Sequence, residues 1–262
     1  MPTTAWDPKQ YERFEAERSQ PFFDLAALVQ PLDGGRAVDL GCGPGGLTAR
    51  LVDLVGAGEV LGIDTSASML EAAAAHASAH VAFQAGDLAT FDEPGGWDLV
   101  MANASLHWTA DHATVLARWT ASLRGGGQLA VQVPANADHA SHLVAAEVAH
   151  DEPFLSAMDG TPPPDPVAVN VLPPERYAEL LDELGYTQQH VRLQVYGHHL
   201  DSTLEVVEWL KGTSLTRFKA ILPADLYDAF VTRYRERLLV VLGDRAPYFY
   251  PFKRILFWGR QP

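Results

Sequence analysis

The sequence predicts an α/β fold in which a mostly parallel sheet carries helices on both faces. First, short apolar runs alternate with helical patterns from residue 36 onward, as a parallel sheet with crossover helices requires. Second, a glycine-rich turn joins the first apolar run to the first helical pattern. Third, a chain of 262 residues, 47% hydrophobic and 20% charged, can bury a large core.

Five strands and three connecting helices are predicted in the first half of the chain. The strands are residues 36–40, 59–63, 81–85, 97–102 and 128–133. Apolar residues at helical spacing predict helices at 47–55, 66–79 and 111–123. Thr65 or Ser66 suits the start of the second helix, and three consecutive glycines follow the third.

The pattern changes after Pro134. A helix is predicted at 139–150, followed by a proline-rich loop at 160–166 that suits neither helix nor central strand. The alternation of helices and strands then resumes. A helix is predicted at 174–184 and a strand at 190–196, followed by helices at 203–212 and 224–242 and a last strand at 254–259. We interpret 136–172 and 198–250 as helical insertions covering the carboxyl ends of the strands, where open α/β sheets bind ligands.

The charge and the cysteine content limit the classes of binding partner and the cellular location that we expect. A net charge of −14 repels phosphate backbones and anionic lipid, so nucleic-acid and membrane partners are not expected. A small anionic substrate would need a local cluster of Arg and Lys. Cys42 is the single cysteine, the N-terminus lacks a signal-peptide pattern, and no apolar run could span a bilayer. From these features we expect a cytoplasmic protein. We also expect no metal site, because His198 and His199 lack partners at metal-ligand spacing.

The segment VDLGCGPGG, which begins at Val38, is the strongest chemical motif. Its glycines let the backbone turn sharply out of the strand and approach a ligand, while the following helix presents amide donors. Considered alone, a structural strand-to-helix turn also fits this pattern. However, Asp39 lies two positions before the first glycine, and the loop lacks the G-x-G-x-x-G spacing used for pyrophosphate. A ligand with an ammonium group and no phosphate, such as S-adenosylmethionine, suits it better.

Two further carboxylates follow predicted strands. Asp64 closes the second strand, where a carboxylate can accept ribose hydroxyls as in dinucleotide-binding folds; the less favoured alternative is that it caps the next helix. Asp87 follows the third strand, where it or the Leu88 amide could read an adenine edge, although a surface acid fits as well.

The motifs VDLGCGPG, GID, GDL and ANASLHW together resemble the successive motifs of class I methyltransferases. The whole chain resembles the trans-aconitate methyltransferase family, through WDPKQYERFEAERSQP, NASLHW, QVP, WLKGTSL and FKRILFWGR. This resemblance implies a Rossmann-like fold with a seven-stranded sheet and a helical cap. It also implies an N-terminal helical segment (1–30) that closes over the site, a cofactor-binding core (31–135) and a remainder (136–262) that holds the two insertions.

The resemblance implies S-adenosylmethionine as cofactor and S-adenosylhomocysteine as product. Asp39, Gly41 and Gly43 would bind the methionine end, Asp64 the ribose and Asp87 the adenine. The full set of implied cofactor contacts is Tyr11, Arg18, Asp39, Gly41, Gly43, Asp64, Met69, Asp87, Leu88, Asn103, Ala104 and Trp108.

The implied reaction is O-methylation of a carboxylate of a small polycarboxylic acid such as trans-aconitate. A carboxylate is ionised at neutral pH, so no general base is needed, and Asn103, His107 and Trp108 would act by positioning. Cationic and neutral donors would hold the substrate. The candidates are Arg18, His107, Lys211, Arg217, Tyr248 and Arg254, with Lys219 and Tyr250 beside them.

Other activities fit part of the pattern. A methyltransferase for another acid or for carbon of a quinone precursor would share the cofactor loop, and a catalytically silent S-adenosylmethionine-binding module would share it too. The NASLHW segment beside the expected methyl position argues against a silent module. The loop spacing disfavours a nicotinamide oxidoreductase. The sequence does not predict the oligomeric state.

Overall fold

The computed structural model describes residues 15–262, with side chains from residue 19 onward. The strands are β1 (Arg36–Leu40), β2 (Glu59–Asp64), β3 (Val81–Ala85), β4 (Trp97–Asn103), β5 (Leu123–Pro134), β6 (Gln188–Leu200) and β7 (Tyr248–Arg260). The α-helices are α1 (Glu15–Ala26), α2 (Gly46–Ala49), α3 (Leu51–Val55), α4 (Ala67–Ala73), α5 (His112–Ala121), α6 (Ala140–Val148), α7 (Phe154–Ala157), α8 (Pro166–Asn170), α9 (Pro174–Glu183), α10 (Leu204–Lys211), α11 (Thr216–Lys219) and α12 (Ala224–Leu242).

The seven strands form one sheet in the order β3-β2-β1-β4-β5-β7-β6. The pairs β1–β2, β1–β4, β2–β3 and β4–β5 are parallel, whereas β7 runs antiparallel to β5. The predicted α/β fold with a mostly parallel seven-stranded sheet is therefore confirmed. The strand order reverses direction at β1 and β4, and the carboxyl ends of strands at such a switch point are where open sheets bind ligands.

Two compact units divide the described chain. The sheet unit comprises Ala16–Pro134, Asn170–Gln194 and Arg254–Pro262, and the helical unit comprises Ala135–Val169 and Val195–Lys253. In the sheet unit, β1 and β4 are buried almost throughout, as apolar central strands are when helices cover both faces. The helical unit has its own core, in which Trp209, Tyr234 and Phe230 are all but fully buried.

β2 and β4 are each one residue longer than the pattern predicts, and β5, β6 and β7 are longer by several residues. β5 begins at Leu123, because that residue pairs with Trp97 across a register shift and the three glycines form the irregular stretch before regular pairing resumes at Gln128. β6 extends to Leu200 and β7 begins at Tyr248, so strand residues occupy both ends of the predicted 198–250 insertion. Alternate residues are buried from the start of β7, which continues its period of two through a proline.

Several short helices were not predicted, namely α7, α8 and α11, each of four or five residues. The predicted helix at 47–55 is divided into α2 and α3. Among residues 15–262, no helix has both the length and the apolar character needed to cross a bilayer.

Candidate active site

The loop between β1 and α2 takes its shape from glycines in the left-handed region, with φ of 83° at Gly41, 55° at Gly43 and 79° at Gly45. A Cβ atom at Gly41 would lie 2.3 Å from the Ser105 Cβ atom, and one at Gly45 would lie 2.6 Å from the Phe83 ring. A Cβ at Gly43 would meet nothing within 4 Å. Two glycines are therefore required by close packing, whereas the third leaves open space against the backbone.

Asp39 lies at the base of this loop, buried within β1. Its Oδ2 atom accepts a hydrogen bond of 2.6 Å from the Thr48 hydroxyl, while its buried Oδ1 atom has no hydrogen-bond partner among the described residues. Burial raises the pKa of Asp39 to about 6; the charge of Asp64 adds to the rise and the Thr48 hydrogen bond opposes it. A buried carboxylate oxygen without a donor is unfavourable. An ammonium group beside this oxygen would satisfy it.

Asp64, at the end of β2, holds the loop directly. Its Oδ2 atom accepts a hydrogen bond of 2.9 Å from the Gly43 amide, and its Oδ1 atom accepts one of 2.8 Å from the Ser66 amide. Ser66 itself caps α4, because its hydroxyl accepts from the amide of Met69, a buried residue. Each carboxylate oxygen can accept a further hydrogen bond, so these contacts leave capacity for ribose hydroxyls.

Asp87 and Leu88 follow β3. Asp87 is exposed, and its Oδ1 atom accepts a hydrogen bond of 2.9 Å from the Ala89 amide, which shapes the turn. The carbonyl oxygen of Leu88 accepts a hydrogen bond of 2.9 Å from the Trp119 indole. This contact fixes the Leu88 backbone, and the adenine role of both residues stays a prediction.

Hydrogen bonds join the turn after β4 to the glycine loop between β1 and α2 and to β5. The Ser105 hydroxyl donates a hydrogen bond of 2.5 Å to the carbonyl of Leu40, the last residue of β1. Ala104, with a φ of 54°, donates its amide to the carbonyl of Gln132 at 2.9 Å. The turn that contains Ala104 and Ser105 therefore lies next to the glycine loop. Sequence reasoning missed Ser105, because no local pattern indicates its partner.

His107 and Trp108 form a 3₁₀ turn immediately beyond. Their rings lie 4.9 Å apart, and the His107 side chain is buried. The His107 carbonyl accepts a hydrogen bond of 2.9 Å from the Asn170 side chain, which also belongs to the sheet unit. The Asn170 hydrogen bond therefore anchors this turn, and its positioning role stays a prediction.

Arg254 is the one predicted substrate cation that falls in the sheet unit among residues with described side chains. It lies on β7, buried, and its guanidinium lies 3.4 Å from the Oε1 atom of Gln132 on β5. Sequence reasoning also missed Gln132. Its signal was available, because a glutamine interrupts the apolar run QLAVQVP.

Three other predicted substrate residues belong to the helical unit. Lys211 pairs with Glu208 at 3.2 Å. Tyr248 is buried, and burial raises its pKa. Arg217 is buried as well, with its guanidinium 3.5 Å from an oxygen of Asp165. The substrate roles of these residues stay predictions.

The Arg217 charge is balanced within its own unit. Asp165 also accepts from His142 at 2.7 Å, and Arg217 donates to the Ser214 carbonyl at 2.9 Å. Burial alone would raise the pKa of Asp165, but the His142 hydrogen bond and the charges of His142 and Arg217 lower it to about 2. The Asp165 carboxylate therefore stays ionised beside the Arg217 guanidinium.

Two predicted contacts lie beyond what can be described. Tyr11 lies outside the described residues, and the Arg18 side chain belongs to the part of α1 for which no side chains are described. Over the described range, no cluster of three or more His, Cys, Asp or Glu is arranged to hold a metal ion.

Comparison with known proteins identifies relatives over nearly the whole chain. A methyltransferase-domain family model matches residues 37–127. The chain is 39% identical to a trans-aconitate 2-methyltransferase of Deinococcus radiodurans, covering 98% of both chains. It is 36% identical to one of Streptomyces avermitilis, covering 96% of this chain and 95% of the relative.

Solved methyltransferase structures share the fold. The chain aligns with phosphoethanolamine N-methyltransferase 2 of Haemonchus contortus, solved with S-adenosylmethionine, at a TM-score of 0.53 and 20% identity, covering 89% of this chain but 50% of that one. It aligns with geranyl diphosphate C-methyltransferase of Streptomyces coelicolor at a TM-score of 0.53 and 14% identity, covering 96% and 80%. The predicted class I methyltransferase fold and the predicted family are confirmed, and the chain belongs to the trans-aconitate 2-methyltransferase family.

Proposed function

We propose that this enzyme transfers the methyl group of S-adenosylmethionine to a carboxylate oxygen of trans-aconitate, giving a monomethyl ester and S-adenosylhomocysteine. The names of its full-length relatives support the acceptor. The observation that carries the cofactor assignment is the buried Oδ1 atom of Asp39, an acceptor without a donor among the described residues at the base of a glycine loop with open space. These features fit an amino-acid ammonium group.

In this proposal the sheet unit holds the cofactor along the carboxyl ends of its strands. Asp39 and the loop amides bind the methionine end, Asp64 accepts the ribose hydroxyls, and Asp87 with Leu88 borders the adenine. Asn103, Ala104 and Trp108 border the sulfonium. Met69, Tyr11 and Arg18 complete the proposed set.

The proposed methyl transfer does not require acid–base catalysis. Bound S-adenosylmethionine supplies an already activated methyl group. An acceptor carboxylate has a reference pKa of about 4 and is ionised at neutral pH, so no side chain has to remove a proton. What the protein supplies is alignment and exclusion of water, which are worth up to roughly 7–11 kcal/mol for well-oriented reactants. Asn103, His107 and Trp108 carry that positioning role.

The acceptor is a small anion in a protein of net charge −14, so local cations must attract it. Arg254 is the proposed cation of the sheet unit, and Lys211 and Arg217, with the hydroxyl of Tyr248, are the proposed donors of the helical unit. Arg18 and His107 complete the proposed substrate set. We also propose a cytoplasmic location, in keeping with the single, buried thiol of Cys42.

The test is a calorimetric titration with S-adenosylmethionine and S-adenosylhomocysteine, followed by a methyl-transfer assay over a panel of di- and tricarboxylic acids. We expect saturable binding and turnover of trans-aconitate. Binding with turnover of a different acid would replace the acceptor and keep the cofactor. Binding without turnover of any acceptor would favour a silent module, and absence of binding would overturn the cofactor assignment.

A further inference from the structure

Gln132 lies near the carboxyl end of β5, at the edge of the sheet where open α/β sheets bind ligands. It is fully buried. In the sheet it pairs with Asn103 of β4 on one side and Leu256 of β7 on the other. Side chains at paired positions of neighbouring strands point to the same face, so Gln132 and Asn103 project from the same face of the sheet.

The orientation of the Gln132 amide follows from its neighbour. Arg254 directs a guanidinium nitrogen to the Oε1 atom of Gln132 at 3.4 Å. Because a guanidinium carries donors only, the amide must turn its oxygen towards Arg254. The Nε2 group therefore points elsewhere as a donor, and it is buried without a hydrogen-bond partner in the described part of the chain.

A second glutamine on the same strand shows the contrast. Gln128, four residues earlier on the same face of β5, uses both ends of its amide. Its Oε1 atom accepts from the backbone N–H of Gln30 at 2.8 Å and from the Trp258 indole at 2.9 Å, and its Nε2 atom donates to the backbone carbonyl of Gln30 at 2.9 Å. One buried glutamine is thus satisfied within the fold, and the other retains a donor.

The neighbouring strand carries an acceptor that is also unused. The Oδ1 atom of Asn103 is buried and has no hydrogen-bond partner among the described side chains and backbone groups. Burying unsatisfied polar groups is costly and rare in native structures, so two such groups at one end of the sheet point to a partner outside the protein. The two amides mark a polar position at the carboxyl ends of β4 and β5.

We propose that Gln132 is a specificity-determining residue for the acceptor: its Nε2 group donates a hydrogen bond to a carboxylate oxygen of the substrate, and its Oε1 atom orients the Arg254 guanidinium that supplies the opposing charge. This inference rests on the proposed function and assigns a role to a residue outside the set predicted from the sequence. A polycarboxylate must have at least one carboxylate held while another is methylated. A neutral donor next to a cation can bind that carboxylate without burying a second positive charge.

The test compares Gln132→Glu with wild type. Glutamate keeps the shape and the acceptor facing Arg254, but it replaces the donor with a second acceptor and adds negative charge. We expect the KM for trans-aconitate to rise by about tenfold to a hundredfold, with a smaller change in kcat. The dissociation constant of S-adenosylhomocysteine, measured by calorimetry, should not change.

The matched control is Gln128→Glu, the same substitution on the same face of the same strand. It should lower thermal stability, because it removes the donor to Gln30, while leaving the KM for trans-aconitate unchanged. If Gln132→Glu does not fold, Gln132→Met serves instead, since it removes the donor without adding charge. Its penalty should be smaller for a dicarboxylate that lacks the contacted carboxylate than for trans-aconitate.

The outcomes separate this inference from the proposed function. Wild-type turnover of trans-aconitate with an unchanged KM in the Gln132 variants would overturn the role of Gln132 and leave the function standing. A KM rise shared equally by the Gln128 control would show a general effect on the fold and would likewise overturn it. Absence of wild-type turnover with every acid of the panel would overturn both.

Discussion

Replacing Gly41 with alanine tests whether the cofactor loop is fixed by contact with the turn after β4. The added methyl group would lie 2.3 Å from the Ser105 Cβ atom and 2.9 Å from its Oγ atom, at a φ of 83°. The left-handed conformation costs about 1–2 kcal/mol for a residue with a Cβ. The overlap adds a further 1–3 kcal/mol or so, as overpacking commonly does. Ser105 must move, and its hydrogen bond to Leu40 is worth about 1 kcal/mol.

Gly41→Ala should therefore lower the free energy of unfolding by roughly 3–6 kcal/mol, measured by urea denaturation. It should also weaken S-adenosylhomocysteine binding, measured by calorimetry. Gly34→Ala is the matched control, because Gly34 has a φ of 87° but its Cβ would meet nothing within 4 Å. That variant should show the conformational cost alone and bind the product normally.

A second substitution isolates the contact. Ser105→Gly removes the atoms that the new methyl group would meet, so adding it to Gly41→Ala should recover the steric part of the loss and leave the conformational part. Equal destabilisation by Gly41→Ala and Gly34→Ala would refute the reasoning, because the Ser105 contact would then contribute nothing.

Three further predictions concern charged residues. The pKa of Asp39 is raised to about 6, and an ammonium ligand prefers the ionised carboxylate, so the affinity for S-adenosylhomocysteine should fall as the pH drops below about 6. Calorimetry at several pH values should show this dependence for the wild-type protein. The same dependence in Asp39→Asn would contradict the assignment. Asp64→Ala removes the acceptor for the Gly43 amide and should weaken that affinity by about 1.5–3 kcal/mol; equal affinity in the variant and wild type would exclude the ribose role. Arg217→Met leaves buried Asp165 short of a cation and should lower the unfolding free energy by about 3–5 kcal/mol in urea denaturation; unchanged stability with a raised KM would instead assign Arg217 to the substrate.

The sequence predicted the elements best where local chemistry bounds them. β1 and β3 have the predicted limits, and α12 does too, because turn residues or prolines stand at their ends. The boundaries of β5 and β7 were less predictable, since they depend on pairing partners far away in the chain. Leu123 joins β5 by pairing with Trp97, which no local pattern indicates.

The site residues also differ in how far they could be predicted from local sequence patterns. A glycine loop with a preceding acid is a contiguous pattern, so Asp39 and Gly43 could be found from the sequence. The partner of Arg217 could not, because only the folded helical unit brings Asp165 beside it. Gln132 lies between these cases: a polar residue in an apolar strand was visible, but its unused donor depends on the position of Arg254.

The order of strands also has a consequence for synthesis of the protein. β6 lies at the edge of the sheet and neighbours β7 rather than β5, although it precedes β7 in the chain. During translation β6 must therefore wait for the last strand before it can join the sheet. The helical unit likewise needs residues up to Lys253. A chain that stops before Tyr248 would lose two strands from the sheet instead of one.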